Sequence, residues 1–541
     1  MSNLDTSLKI GLGLSGGGFR ASSFSLGVLT YLAEVKLEEG TTLLDNVVVL
    51  STVSGGTICG ASYAIGLKQG KSLVEIYKVV YNFMIKKDLV ALSLDRLIFH
   101  NLWKGERVKG LITAFADNYD QHLFNKAKFG LLMKGENPIH LKNVIFNATE
   151  FDNANQFRFQ WTESKNEQGI IGNYFRQIPA EIAEQIRMAD ILAASSCFPG
   201  GFEPINFPDD FVFEKPEEIK FDKSKGFPVG LMDGGIIDNQ GIEGLLMVEE
   251  RMRKNRDGKN PNPERALDLI ILSDVTSPYM EEYKVSIQKK SNWWRKLTPL
   301  NVILINTLVM VLSGYFLLQS YLEKNILILL ISNTGLLISI FLYFIIGVFT
   351  AIPNKLGVPA FFMKSLRKLS RIRFQVYENL ISNRVNSLLK LNLDVFLKHI
   401  RRLNYARIYE SKHWHNRSIM NAIYELRPQE EKLNKKIQEG KISPHLIPTE
   451  EIRAIAQEAS EMGTTLWFSE VEKSEQTPQK IIICGQLTMC WNLLEYLEIL
   501  KKDTTNTNIK HQTLMNCEEQ ILKHWEAFKK NPLWLVEKYK G

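Results

Sequence analysis

Cysteine is scarce in this chain and carries no pattern. Cys59, Cys197, Cys484, Cys490 and Cys517 are scattered without metal-ligand or disulfide spacing, which points to ordinary thiols in a reducing compartment. The first residues, Met1 to Lys9, lack a basic head followed by an apolar run, so no signal peptide is expected. No Lys-Ser or Lys-Thr follows the glycines at residues 16–18, which excludes a Walker-type phosphate loop there. A net charge of +7 over 541 residues is too modest to argue for nucleic acid. Charge itself is missing from two places, between Leu297 and Leu322 and between Asn325 and Asn354.

What is present, 45% hydrophobic with 23% charged residues, describes a globular protein long enough for two or three units. One stretch organises it. Asn46-Val-Val-Val-Leu-Ser-Thr-Val-Ser-Gly-Gly56 reads as a buried β-branched strand running into a glycine pair, with a small-residue helix after it. Strand, serine, glycines, helix is the layout of a nucleophile elbow, which makes Ser54 the candidate nucleophile. The competing reading is a serine that only caps the helix. In the G-x-S-x-G pattern Thr52 takes the first glycine position and Gly56 holds the second.

Upstream, Leu8–Leu14 reads as a first strand. It leads through Ser15-Gly16-Gly17-Gly18-Phe19-Arg20-Ala21 into a helix from Ser22 to Glu34. Three glycines before a helix bring backbone N–H groups close to a ligand at the positive end of the dipole. Such a nest suits a phosphate or a developing oxyanion. Gly11, Gly13 and Gly16 also fit G-x-G-x-x-G, but no acid ends the second strand where a ribose hydroxyl would bind. Residues 71–132 read as mainly helical, with Leu97, Ile98, Phe99, Leu102 and Trp103 either a lid or packed core. Strands are expected over Ile139–Thr149 and Phe157–Trp161. The helix within Asp190-Ile-Leu-Ala-Ala-Ser-Ser-Cys-Phe-Pro199 stops at Pro199. Asp233 follows a short apolar strand and precedes Gly234 and Gly235; it reads as a carboxylate projecting into a site, or as a turn stabiliser.

The ordered set Gly16-Gly-Gly-Phe-Arg20, Thr52-Val-Ser-Gly-Gly56, Ala193-Ala-Ser-Ser-Cys-Phe-Pro199 and Asp233-Gly-Gly235 resembles the patatin-like phospholipase family over roughly residues 8–275. Thr52 and Ala21 depart from the family's glycines. The resemblance implies an α/β fold, a three-layer α/β/α core with a central, mainly parallel sheet. It also implies a Ser-Asp dyad, in which Ser54 attacks an acyl ester and Asp233 takes its proton. The amides of Gly16, Gly17 and Gly18 would hold the oxyanion, with Arg20, Gly56, Pro199, Gly234 and Gly235 supporting the site. None of the nine histidines lies beside these motifs. A carboxylate with an ordinary pKa of about 4 serves as base only if it is desolvated. No metal or cofactor is required.

The two uncharged runs are separated only by Glu323 and Lys324, and each is long enough to cross a bilayer, which takes about 20 residues. Spans near residues 300–322 and 326–352 form a hairpin, with Gly314, Gly335 and Gly347 allowing close pairing. Lys284, Lys289, Lys290, Arg295 and Lys296 precede it with Trp293 and Trp294; Lys355, Lys364, Arg367, Lys368, Arg371 and Arg373 follow. Basic flanks on both sides predict a two-pass protein with both termini and the catalytic core cytoplasmic, its flanks against anionic head groups. No nucleic-acid motif accompanies them.

Three regions are therefore expected: a hydrolase core at 1–280, a hairpin with flanks at 281–370, and a mainly helical part at 371–541. Thr464–Phe468 and Lys480–Gly485 read as strand pieces that return to the core sheet. His413 and His415 read as packing or surface residues. The expected activity is a phospholipase A or lysophospholipase type acting on membrane phospholipids. The alternatives are hydrolysis of other esters or thioesters, or an inactive membrane-anchored sensor. Oligomeric state is not legible.

Overall fold

The computed structural model describes residues 8–37, 40–99, 103, 107–164, 169–214, 219, 221, 226–254, 266–277, 292–355, 370–502 and 509–540. Among residues expected to matter, Leu102, Lys284, Lys289, Lys290, Lys364, Arg367 and Lys368 lie outside these.

Eight strands form one mixed sheet: β1 (Ile10–Leu14), β2 (Val47–Val53), β3 (Asn143–Glu150), β4 (Asn155–Thr162), β5 (Ile205–Phe207), β6 (Val229–Asp233), β7 (Leu269–Asp274) and β8 (Ser418–Ala422). Their order is β5-β6-β3-β2-β1-β7-β8, with β4 also on β3. The run β3-β2-β1-β7-β8 is parallel and the β4, β5 and β6 pairings are antiparallel. β1 and β7 are buried along their whole length and β2 nearly so, as expected of strands covered by helices on both faces. The core is the expected α/β/α arrangement. α1 (Gly18–Glu34), α2 (Gly55–Lys68) and α3 (Met188–Ser196) carry the residues of the glycine loop, the elbow and the serine-rich block.

The register of β3 places the site. β4 takes one edge of β3 from Asn143 to Glu150. On the other edge β2 pairs as far as Val53 opposite Asn147, and β6 takes over from Ala148, which stands opposite its last residue, Asp233. Two strands arriving from opposite directions thus end on adjacent residues of β3, and Ser54 and Asp233 stand at the junction.

The part after residue 397 is mostly helical but belongs to the same compact unit as the first 279 residues. Here the expected strands are corrected. Thr464–Phe468 forms no strand, and Lys480–Gly485 lies inside the helix Thr477–Lys502. Ile481-Ile-Ile483 is β-branched, yet this helix is buried on nearly every face, and all-round burial overrides local preference. Gly485 is a crossing point, not a turn. A Cβ on it would stand 2.3 Å from the Phe24 carbonyl oxygen, and one on Gly27 of α1 would stand 2.1 Å from the Ile482 carbonyl oxygen. The strand that does return is the short, half-polar β8 beside β7.

The second unit, Met280–Phe396, contains α4 (Pro299–Glu323) and α5 (Ile326–Lys355). Pro299–Glu323 and Ile326–Ile345 are long and apolar enough to cross a membrane. They pair through Asn306 Nδ2 to the Ser339 carbonyl (3.1 Å), and Thr307 Oγ1 lies 2.5 Å from the Tyr343 hydroxyl. Gly335 packs against Ser313, whereas Gly314 faces open space. α4 starts cleanly, with the Thr298 hydroxyl accepting from the Asn301 amide and Pro299 in its first turn.

Candidate active site

β2 drives straight into α2, and Ser54 makes the turn with φ 50° and ψ −118°. A non-glycine residue held at positive φ is strained and needs its surroundings to hold it there. Here they do. The Ser54 amide donates to Ser195 Oγ of α3 (3.0 Å), which also lies 2.9 Å from Thr57 Oγ1, itself 3.0 Å from Thr52 Oγ1. The departure at Thr52 is thereby accommodated. Its hydroxyl joins the chain that fixes the elbow, and its methyl occupies the space left by Gly60, where a Cβ would stand 2.4 Å away.

Asp233 ends β6 and is nearly buried. One carboxylate oxygen accepts the Gly235 amide (2.7 Å). Burial pushes the carboxyl up to about 6, while the Gly235 amide and the Ser54 hydroxyl pull it back. The backbone beside it is tied to the serine block: the Asp233 amide donates to the Cys197 carbonyl (2.9 Å) and the Gly234 amide to the Ser195 carbonyl (3.4 Å). Ser195 therefore touches both turns, one through its side chain and the other through its backbone.

The glycine loop lies against the elbow in backbone contact. A Cβ on Gly16 would meet Ser54 Cβ at 3.2 Å, and one on Gly55 would meet the Gly18 nitrogen at 2.6 Å. The Gly16 amide donates to the Asn239 carbonyl (3.0 Å) and the Phe19 amide to the Thr465 carbonyl (2.8 Å). Among the described residues the amides of Gly17 and Gly18 have no backbone acceptor. Of the three expected donors, these two are the ones without a backbone acceptor. Gly56 is structural, its amide donating to the Ser15 carbonyl (3.1 Å).

Arg20 does not enter the site. Its guanidinium donates to the Met462, Ser460 (3.3 Å) and Val275 (3.1 Å) carbonyls, and burial lowers its pKa to about 10. It fastens the segment carrying Thr464 and Thr465 behind the glycine loop. Pro199 lies past the end of α3 and bridges to Phe202. Ser195, Asn239 and Thr465 were not singled out from the sequence, since a serine 141 residues from its partner leaves no local spacing signal.

Among the described residues, the two histidines of most interest are engaged elsewhere. His140 is held by the Tyr63 hydroxyl (2.7 Å) and the Val47 carbonyl (2.8 Å), and His413 lies 3.0 Å from a Glu249 carboxylate oxygen. A cavity of about 610 Å³ lined by Arg401, Tyr405, Tyr424, Glu425, Lys436 and Trp491 contains neither Ser54 nor Asp233.

Residues 12–246 match the model of the family described as patatin-like phospholipase. No curated protein matches the chain. Among solved structures it is similar to human GIVD cytosolic phospholipase A2, at 15% identity with a TM-score of 0.30, over 49% of this chain and 43% of that one. It is likewise similar to the same enzyme in complex with methyl gamma-linolenyl fluorophosphonate, at 18% identity with a TM-score of 0.28, over 49% and 40%. The chain spans less than half the length of these structures.

Proposed function

From a chain that carries a patatin-like phospholipase domain over residues 12–246, we propose a membrane-anchored lipid acyl hydrolase that works through a Ser54–Asp233 dyad. The Ser54 oxygen attacks the ester carbonyl as its proton passes to Asp233. The carbonyl oxygen gathers negative charge against the Gly17 and Gly18 amides, each such donor typically contributing about 3 kcal/mol to the transition state. Collapse expels the alcohol, which leaves with the proton from Asp233. Water, deprotonated by the same carboxylate, then releases the fatty acid and restores the serine.

The observation that carries this reading is the register of the sheet: β2 and β6 end on adjacent residues of β3, which brings Ser54 beside a carboxylate that burial has made more basic. A helix-capping serine has no use for a desolvated base, and an inactive elbow has no use for the hydroxyl chain through Thr52, Thr57 and Ser195. Membrane phospholipids are the proposed substrates. The two apolar helices support anchoring, because a soluble protein would bury helices of this composition, whereas only 6% and 11% of their apolar windows are covered. The basic residues on both flanks favour a cytoplasmic core.

Fatty-acid release from phospholipid vesicles tests the chemistry. We expect release by the intact protein and its loss in both Ser54→Ala and Asp233→Asn. Equal release by all three excludes the dyad. Deletion of residues 300–351 tests the anchor separately, since it is expected to move the protein from the membrane pellet to the soluble fraction.

A further inference from the structure

The helix after the hairpin, α6 (Phe374–Lys390), has no buried residue along its 17 positions. Successive residues turn by about 100°, so Phe374, Tyr377, Ile381, Val385, Leu388 and Leu389 fall on one arc, with Glu378 as its one charged member; Gln375, Asn379, Ser382, Asn386 and Lys390 lie on the flank beside it, and Val376 and Leu380 on the far side. Ile381, Val385, Leu388 and Leu389 are each about half exposed. An apolar arc of this width needs a cover.

Its start is pinned where the first apolar helix begins. The Phe374 amide donates to the Leu297 carbonyl (2.9 Å), and the Leu300 amide donates to the Ser370 carbonyl (2.9 Å). Leu297 lies two residues before Pro299, the first residue of α4. Trp293 and Trp294 stand exposed in the turn just before it, as aromatic residues do at a headgroup boundary. The one acid of α6, Glu378, is matched by Arg295 at 3.3 Å. Arg371, Arg373 and Arg384 add positive charge on and just before the helix, and Lys390 at its end lies 3.9 Å from Asp394.

We propose that α6 lies in the bilayer interface, its Ile381–Val385–Leu388 face about 5–10 Å into the headgroup and acyl boundary and its basic residues against anionic lipid. The inference rests on the reading of α4 and α5 as membrane spans. Continuity with the start of α4 and the excess of cationic residues select a lipid surface over a second copy of this chain. The hairpin holds the protein at the membrane; α6 makes a second contact in its plane, which two short loops alone would not provide.

Spin labels on single cysteines introduced in the full chain test it, in nanodiscs of phosphatidylcholine with phosphatidylglycerol. The five native cysteines are buried, and the unsubstituted protein gives the background. Labels at Ile381→Cys, Val385→Cys and Leu388→Cys are expected to be more accessible to oxygen than to a water-soluble nickel chelate. Labels at Asn379→Cys and Asn386→Cys should reverse that ratio. Nickel access at all five positions overturns the proposal, and so does exclusion of both reagents from the apolar positions, which means protein covers them. Leu312→Cys in α4 separates the two readings. Oxygen access there with none at Val385 sinks only the interfacial helix, whereas nickel access at Leu312 sinks the spans and this inference with them.

Discussion

Thr52 and Gly60 are fitted to one another: the Thr52 methyl carbon lies 2.4 Å from where a Cβ on Gly60 would stand. The residue that departs from the elbow pattern is thus matched on the helix after the serine. Gly60→Val should push α2 off β2, costing about 1–3 kcal/mol by overpacking and lowering serine reactivity. Adding Thr52→Gly should recover part of both. Thermal unfolding together with the rate of fluorophosphonate labelling of the four proteins checks this, and full additivity of the two substitutions would contradict the match.

In the proposed mechanism Asp233 sets the acid limb of activity. It acts as base only when ionised, so kcat/KM is expected to fall as pH drops through about 6, the value to which burial raises it. A limb near pH 4 in initial rates against a neutral ester would mean that the carboxylate is not the titrating base.

The same carboxylate should cost stability at neutral pH. Its pKa rises from 3.8 to about 6 on folding, so between those values the folded chain holds a proton that the unfolded chain releases. The protonated carboxyl favours the fold fully below about pH 4, and that advantage is lost as pH rises to about 6. Asp233→Asn should therefore be more stable than the parent above pH 6, by roughly 1–3 kcal/mol, though inactive. Denaturant midpoints at pH 4 and pH 7.5 measure it, the gain appearing only at the higher pH.

Ser195 is a positioning residue, holding the elbow by its hydroxyl and the Asp233 turn by its carbonyl. Ser195→Ala removes the first tie and leaves the second. We expect kcat to fall by about 5-fold with KM nearly unchanged, since about 1 kcal/mol of orientation is lost while the acyl pocket stays intact. Ser195→Thr, which keeps the hydroxyl, should recover most of the rate.

How much of this was legible follows from where the signal lies. Ser54, Asp233 and the glycine loop announce themselves because a sharp turn after a buried strand demands small residues within a few positions. The pairing of β2 and β6 with adjacent residues of β3 carries no such mark, because register across nearly two hundred residues is set by the sheet as a whole. β8 hid because Ser418-Ile-Met-Asn-Ala422 is short and half polar, whereas Ile481-Ile-Ile483 misled because complete burial produces the same apolar run in a helix as in a strand. Arg20 reads as support for the site from its place beside the glycines, but the carbonyls that its guanidinium meets lie more than 250 residues away and leave no local mark.

The crossing of α1 with the helix Thr477–Lys502 makes the C-terminal part inseparable from the core. Gly485→Leu should force the two backbones apart and destabilise the chain by about 1–3 kcal/mol or more, as read from the denaturant midpoint. An unchanged midpoint would mean that the helices do not meet there.

The central claim is that an activated serine sits beside a buried carboxylate, and a fluorophosphonate reports on it most directly. Incubation of the membrane-bound protein with the probe, followed by peptide mass mapping, should place one phosphonyl adduct on Ser54. The adduct should be absent from Ser54→Ala and form far more slowly in Asp233→Asn. An unlabelled Ser54, or labelling at an unchanged rate without the carboxylate, would contradict the account.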